Sequence, residues 1–163
     1  MTFAGTASVE IGQAIVTGTI SNSETLTFEG NGFSNANESL LISGATSLSG
    51  GGEVVLVEAN DSVIGNAASV IGGTAGVLTN VDNTIRGTGQ IQSLTLNNQS
   101  TIRAEGGEVT FTGVDFTQTA GRLEVAEDGV LRASQELLIL DGQVGGTGII
   151  IGCLLYTSPS PRD

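Results

Sequence analysis

Histidine, lysine and tryptophan are absent from the 163 residues, cysteine, methionine and tyrosine occur once each, and there are only two prolines. Without histidine, Ser-His-Asp triads, Cys-His pairs, imidazole acid–base catalysis and histidine-based zinc sites are excluded. Without lysine, the glycine clusters cannot form a phosphate-binding P-loop, which needs a lysine and a following helix. Aromatic residues make up 4% of the chain, which excludes a core built on bulky rings. No run of 18 apolar residues exists to cross a membrane as a helix. The opening MTFAGTASVE lacks the basic start and apolar centre of a signal peptide.

Charge is sparse and one-sided. Seventeen acidic residues face five basic ones, all arginine, for a net charge of −12. Nucleic acid and anionic membrane surfaces are therefore poor partners, since both need a basic patch. An acidic, solvated surface accounts for the imbalance, with a weak divalent-cation or cationic-partner role as the alternative.

What is present is glycine, 25 residues of it, with Val, Ile, Leu, Ala and Thr. Sustained helical periodicity is missing, whereas short β-rich runs bounded by Gly, Asn, Asp or Ser recur throughout. They include TLTFEG (25–30), VVLVEA (54–59), SLTLNN (93–98), EVTFTG (108–113), RLEVAE (122–127) and LLILDG (137–142).

These runs repeat. In STIRAEGGEV (100–109), GRLEVAEDGV (121–130) and GQVGGTGIII (142–151), an apolar residue is followed by a glycine-bearing link and a second apolar residue. The first anchors are Leu48, Val70, Ile85, Ile102, Leu123 and Val144, extended backward by Leu26 and Val9. The second anchors are Val54, Val77, Ile91, Val109, Val130 and Ile150. The spacing predicts an all-β, parallel β-helix solenoid with coils of about twenty residues. A rival series through Leu26, Leu41, Val55, Val70 and Ile85 steps by about fifteen, and a β-sandwich of hairpins is the competing fold. In the solenoid the first anchors stack along one interior line. Gly50 to Gly52, Gly72-Gly73, Gly106-Gly107 and Gly145-Gly146 supply turns, and Asn80, Asn83, Asn97 and Asn98 add stacked amide hydrogen bonds.

Candidate chemistry is thin. Glu124, Glu127, Asp128, Glu136 and Asp141 could converge as the paired carboxylates of a glycosidase, though solvent-facing turns explain them as well. Calcium has a single distant echo in ANDSVIGNA (59–67) of the glycine- and aspartate-rich repeat that binds it. Thr25/Thr27, Thr110/Thr112 and Thr117/Thr119 form T-x-T pairs of the kind that bind ice, without recurring in every coil. Site residues are accordingly none: no catalytic, cofactor-binding or metal-ligating residue is assigned, no cofactor is implied, and the chain is read as not an enzyme.

Residues 153–163, CLLYTSPSPRD, differ from all that precedes, holding both prolines, the cysteine and the tyrosine. They resemble a translated sequencing adapter, whose bases read in frame as this string. That implies a domain division into 1–152, a fragment truncated at one or both ends, and a non-native, disordered tail at 153–163.

The texture of NVDNTIRGTGQIQSLTLNNQSTIRAEGG (80–107) and AGRLEVAEDGVLRAS (120–134) resembles the repetitive passengers of bacterial autotransporters and filamentous-haemagglutinin-like exoproteins. The resemblance implies a right-handed β-helix that serves as a structural stalk or adhesive passenger segment of a large secreted or cell-surface protein, on the outer-membrane exterior. Its expected partners are host or environmental surface glycans or proteins and the rest of its own chain, with no direct membrane insertion. A β-helix polysaccharide lyase or hydrolase, or a phage tail-spike segment, is the alternative. The lyase requires Arg86, Arg103, Arg122 and Arg132 to gather at a cleft.

Overall fold

A computed structural model describes residues 2–3, 7–9, 13–29, 38–59, 62–67 and 75–157. Among them every regular element is a strand. In chain order these are β1 (Thr2–Phe3), β2 (Ala7–Val9), β3 (Gln13–Asn22), β4 (Thr25–Phe28), β5 (Glu38–Ser49), β6 (Glu53–Leu56), β7 (Ser62–Asn66) and β8 (Val77–Asn80). They continue with β9 (Thr84–Gln92), β10 (Thr95–Asn98), β11 (Thr101–Thr112), β12 (Asp115–Gln118), β13 (Arg122–Val125), β14 (Val130–Ile139), β15 (Gln143–Gly146) and β16 (Ile149–Tyr156).

All sixteen join one sheet, and its pairings are parallel, including β8 with β10, β10 with β12, and β12 with β14. A sandwich of hairpins is thereby excluded, because hairpins pair antiparallel. The long strands β3, β11 and β14 each serve two walls. They bend at register shifts between Val16 and Gly18, Ala104 and Val109, and Arg132 and Glu136. One continuous sheet is thus rolled round a single aliphatic core.

The alternation of side chains decides which residues fill that core. In β9 the pattern Thr84 to Gln92 alternates half-buried and buried without a break, as a strand with one face inside must. Ile85 lies beside Ile102, Ile102 beside Leu123, and Leu123 beside Val144. This column continues backward through Val54 and Leu26. Leu48 was expected in it and instead stands between Ile20 and Asn80 on another wall, while Val70 lies outside the described residues. Of the second anchors, Val109 stacks with Leu131 and Ile150, not with Val130. Neighbours on a strand face opposite sides, so a slip of one residue exchanges inside for outside.

The regular solenoid with coils of about twenty residues is corrected by these pairings. The wall is a single parallel sheet closed round its core like a barrel, and its steps are unequal. Leu26 to Val54 and Val54 to Ile85 are steps of about thirty residues, whereas those from Ile85 to Val144 are about twenty. The difference lies in the connections, since segments 29–37 and 67–76 lengthen the early steps while the strands keep their register.

The compositional break at Cys153 is not a structural one. Cys153 to Tyr156 complete β16 and pair with Glu136 to Ile139, which corrects the expectation of disorder for these four residues. Leu154 packs against the core, because an apolar run of strand-forming residues fits the open sheet edge left by β14. Residues 158–163 lie outside the described part.

A second interior column is polar. Asn80, Asn98 and Gln118 follow one another in register, and all three are fully buried. The Asn80 amide donates to Asn98 Oδ1 at 3.0 Å, and Asn98 donates to the Ser100 carbonyl at 2.8 Å and toward Gln118 Oε1 at 3.5 Å. Asn22 donates to Asn83 Oδ1 at 2.9 Å. Of the asparagines expected to stack, Asn80, Asn83 and Asn98 join this network. Asn97 points outward between Thr79 and Thr117.

Candidate functional site: an ion-paired stripe and an uncharged trough

Three arginines share one wall. Arg86 on β9 and Arg103 on β11 are neighbours in register, Arg103 is followed by Glu124 on β13, and Arg122 stands two residues before Glu124. Like charges side by side on a sheet repel, and here carboxylates separate them. Arg86 is 3.0 Å from Glu53 and 2.7 Å from Glu105. Glu105 is also 2.8 Å from Arg103 Nε, a close approach that is not aligned as a hydrogen bond. Arg122 is 3.3 Å from Glu124. Hydrogen bonds from Glu53 and then Glu105 hold the Arg86 guanidinium above its ordinary pKa. A lyase needs cations free to meet its substrate's carboxylate, and these three are committed to glutamates.

Arg132 stands apart on β14, with Nε 2.9 Å from Glu108 Oε1 and Nη2 3.2 Å from Oε2. This bidentate pair holds the Glu108 carboxyl below its ordinary range, chiefly through the hydrogen bond from Arg132. That shift is opposite to the one a glycosidase's general acid requires. Its pH consequence has a definite sign: the pair stabilises the fold above the ordinary glutamate range and loses that contribution as pH falls through the depressed pKa. Glu108→Gln is expected to flatten a small part of the acid limb of melting temperature against pH. Because both side chains are substantially exposed, the difference from wild type should shrink in high salt. A difference that salt leaves intact would refute the assignment.

The five carboxylates singled out in the sequence do not converge. Glu124 serves Arg122, Glu127 and Asp128 are exposed in the turn after β13, and Glu136 stands beside Cys153 on β14. Asp141 accepts a hydrogen bond from the Gly142 N–H at 2.6 Å. Among the described residues no group of three or more Cys, Asp or Glu side chains is placed to hold a metal ion. Within the stretch that echoed a calcium repeat, Ser62 Oγ donates to the Phe28 carbonyl at 2.8 Å and accepts from the Val57 and Glu58 N–H groups. Asn66 Oδ1 accepts from Gly76 at 2.9 Å. Residues 60–61 of that stretch lie outside the described part.

A different wall carries a shallow trough of about 290 Å³ lined by Gly18, Thr19, Ala45, Thr46, Ser47, Val77 and Thr79. Thr19, Ser47, Thr79, Asn97 and Thr117 follow one another in register along this wall. The neighbouring outward column is Ala45, Val77, Thr95 and Asp115. The row is uncharged and can exchange hydrogen bonds with hydroxyl-bearing partners. It escapes the T-x-T reading because its members come from five different strands. The T-x-T pairs occupy separate strands, β4, the rear of β11, and β12 with its following turn. Only pairing register reveals such a row, and register depends on link lengths that local motifs do not encode.

No protein-family model, curated protein sequence or solved structure matches this chain.

Proposed function

We propose that the chain is a non-catalytic structural and adhesive segment of a large exported surface protein, and that the uncharged trough wall is its contact surface. The observation that carries this reading is the division of labour between walls. The arginines of β9, β11, β13 and β14 are engaged with glutamates, while the row from Thr19 to Thr117 presents neutral polar groups on successive strands. Such a row matches a neutral surface glycan, whose hydroxyls both donate and accept. The net charge of −12 disfavours acidic glycans by repulsion. The resemblance to autotransporter and haemagglutinin-like passengers supports export and display.

Binding to immobilised neutral and acidic polysaccharides tests the proposal, with product analysis on the same samples. The expected result is retention on neutral glycans, none on acidic ones, and no cleavage of either. Ser47→Arg, an outward substitution in the trough, should abolish retention without lowering the melting temperature. Retention that survives Ser47→Arg, or release of shortened or unsaturated sugars, would sink the proposal.

A further inference from the structure

We infer that the trough wall takes a linear neutral glycan whose rings are joined equatorially, as in β-1,4-linked glucose, lying along the row with one ring to each strand. The inference rests on the adhesive reading and adds to it the shape of the ligand.

Its first support is pitch. Thr19, Ser47, Thr79, Asn97 and Thr117 come from the successive neighbours β3, β5, β8, β10 and β12. The row therefore offers one polar side chain per strand, with strands about 4.8 Å apart. A pyranose ring in an equatorially linked chain advances by nearly the same distance. Alternate rings are turned over, yet each keeps a hydroxyl on both edges, so every strand can meet one. Axially linked chains coil, and their hydroxyls leave a straight row after a few rings.

The second support is the surface beside the row. Two residues before Ser47 and Thr79, on the same strands and the same face, stand Ala45 and Val77, and both line the trough. A sugar ring presents C–H groups on its faces and hydroxyls at its edges. Its face can cover this apolar floor while its edge meets the row, which removes apolar area from water and leaves the hydroxyls paired. Farther along, the same outward column reaches Thr95 and then the exposed Asp115, whose charge repels a carboxylated or sulfated ring.

The row is also bounded within the sheet. Thr117 is followed in register by Leu138, whose side chain can exchange no hydrogen bond, so the polar track closes there.

Isothermal titration calorimetry of the full chain tests this, with two series of glucose oligomers of two to five rings, one β-1,4-linked and the other α-1,4-linked. Only the linkage differs between them. The expected result is affinity that rises with each ring in the β-linked series. At five rings it should be at least about tenfold tighter than for the α-linked oligomer, the worth of one or two hydrogen bonds. Asn97→Arg, an outward substitution at the fourth strand of the row, should lower the five-ring affinity to that of three rings. A matching thermal melt would show that this variant remains folded. Equal affinity for the two linkages, affinity that stops rising at two rings, or five-ring binding indifferent to Asn97→Arg would each overturn the inference and leave the adhesive reading standing. So would retention of other neutral glycans with neither series bound. Failure to retain any neutral glycan would overturn both.

Discussion

Gly87→Ala is expected to destabilise the fold by about 3 to 4 kcal/mol, a lowering of the melting temperature on the order of 10 °C for a chain of this size. Gly87 sits where β9 turns from one wall to the next, opposite Leu56 on one side and Ala104 on the other. Its φ is +110°, a region an L side chain enters at a cost of about 1 to 2 kcal/mol. A Cβ there would also collide with the Leu56 carbonyl oxygen. That oxygen belongs to the neighbouring backbone and can move only if the pairing of β6 with β9 opens. Gly51→Ala separates the two causes. Gly51 has φ +74° and open space around its added Cβ, so only the backbone term applies, about 1 kcal/mol. Equal losses for the two variants in thermal or denaturant unfolding would show that the corner contact carries no weight.

Asn98→Ala is expected to cost about 2 to 4 kcal/mol, read as a shift in the denaturant midpoint at unchanged slope. Asn98 is wholly buried and links the amide column in both directions, accepting from Asn80 and donating to the Ser100 carbonyl and toward Gln118. Its removal leaves a cavity the size of an amide and deprives buried polar groups of their partners. Leaving such groups unmatched costs more than the net worth of the bonds themselves. Asn97→Ala, one residue away and facing out, should change stability by less than about 0.5 kcal/mol. Similar effects for the two variants would mean that the column is incidental to the fold.

The column also runs in one direction. Each amide donates toward the carboxy-terminal end, from Asn80 to Asn98, from Asn98 toward Gln118, and from Gln118 to the Gln143 carbonyl at 3.0 Å. At its head Asn80 Oδ1 is buried with no hydrogen-bond partner. The residue behind it in register is Leu48, which has nothing to donate. The amides therefore begin where an aliphatic column ends, and that junction fixes which strand may follow which.

The alternation of apolar and polar residues in 84–139 makes the strands, their parallel nature and the column Ile85, Ile102, Leu123, Val144 legible in the sequence. There the links are short and nearly constant, so spacing translates directly into register. Before residue 84 the translation fails. Leu48 and Val54 lie close together in sequence, yet one faces Asn80 and the other Ile85 across different walls. The connections at 29–37 and 67–76 set that offset, and their length bears no relation to strand periodicity. Gly87 was likewise invisible as a corner, because T-I-R-G-T-G reads as an ordinary glycine-bearing strand. The salt-bridge partners of Arg86 are 33 and 19 residues away. No local motif could pair them, and the row from Thr19 to Thr117 is hidden for the same reason.

The parallel pairing of the sheet governs how it forms. Among the described residues each ladder joins strands about twenty to thirty residues apart, as β6 with β9 and β11 with β13 do, so a loop must close before its hydrogen bonds can form. Folding is therefore expected in the slow range of small domains, milliseconds to seconds.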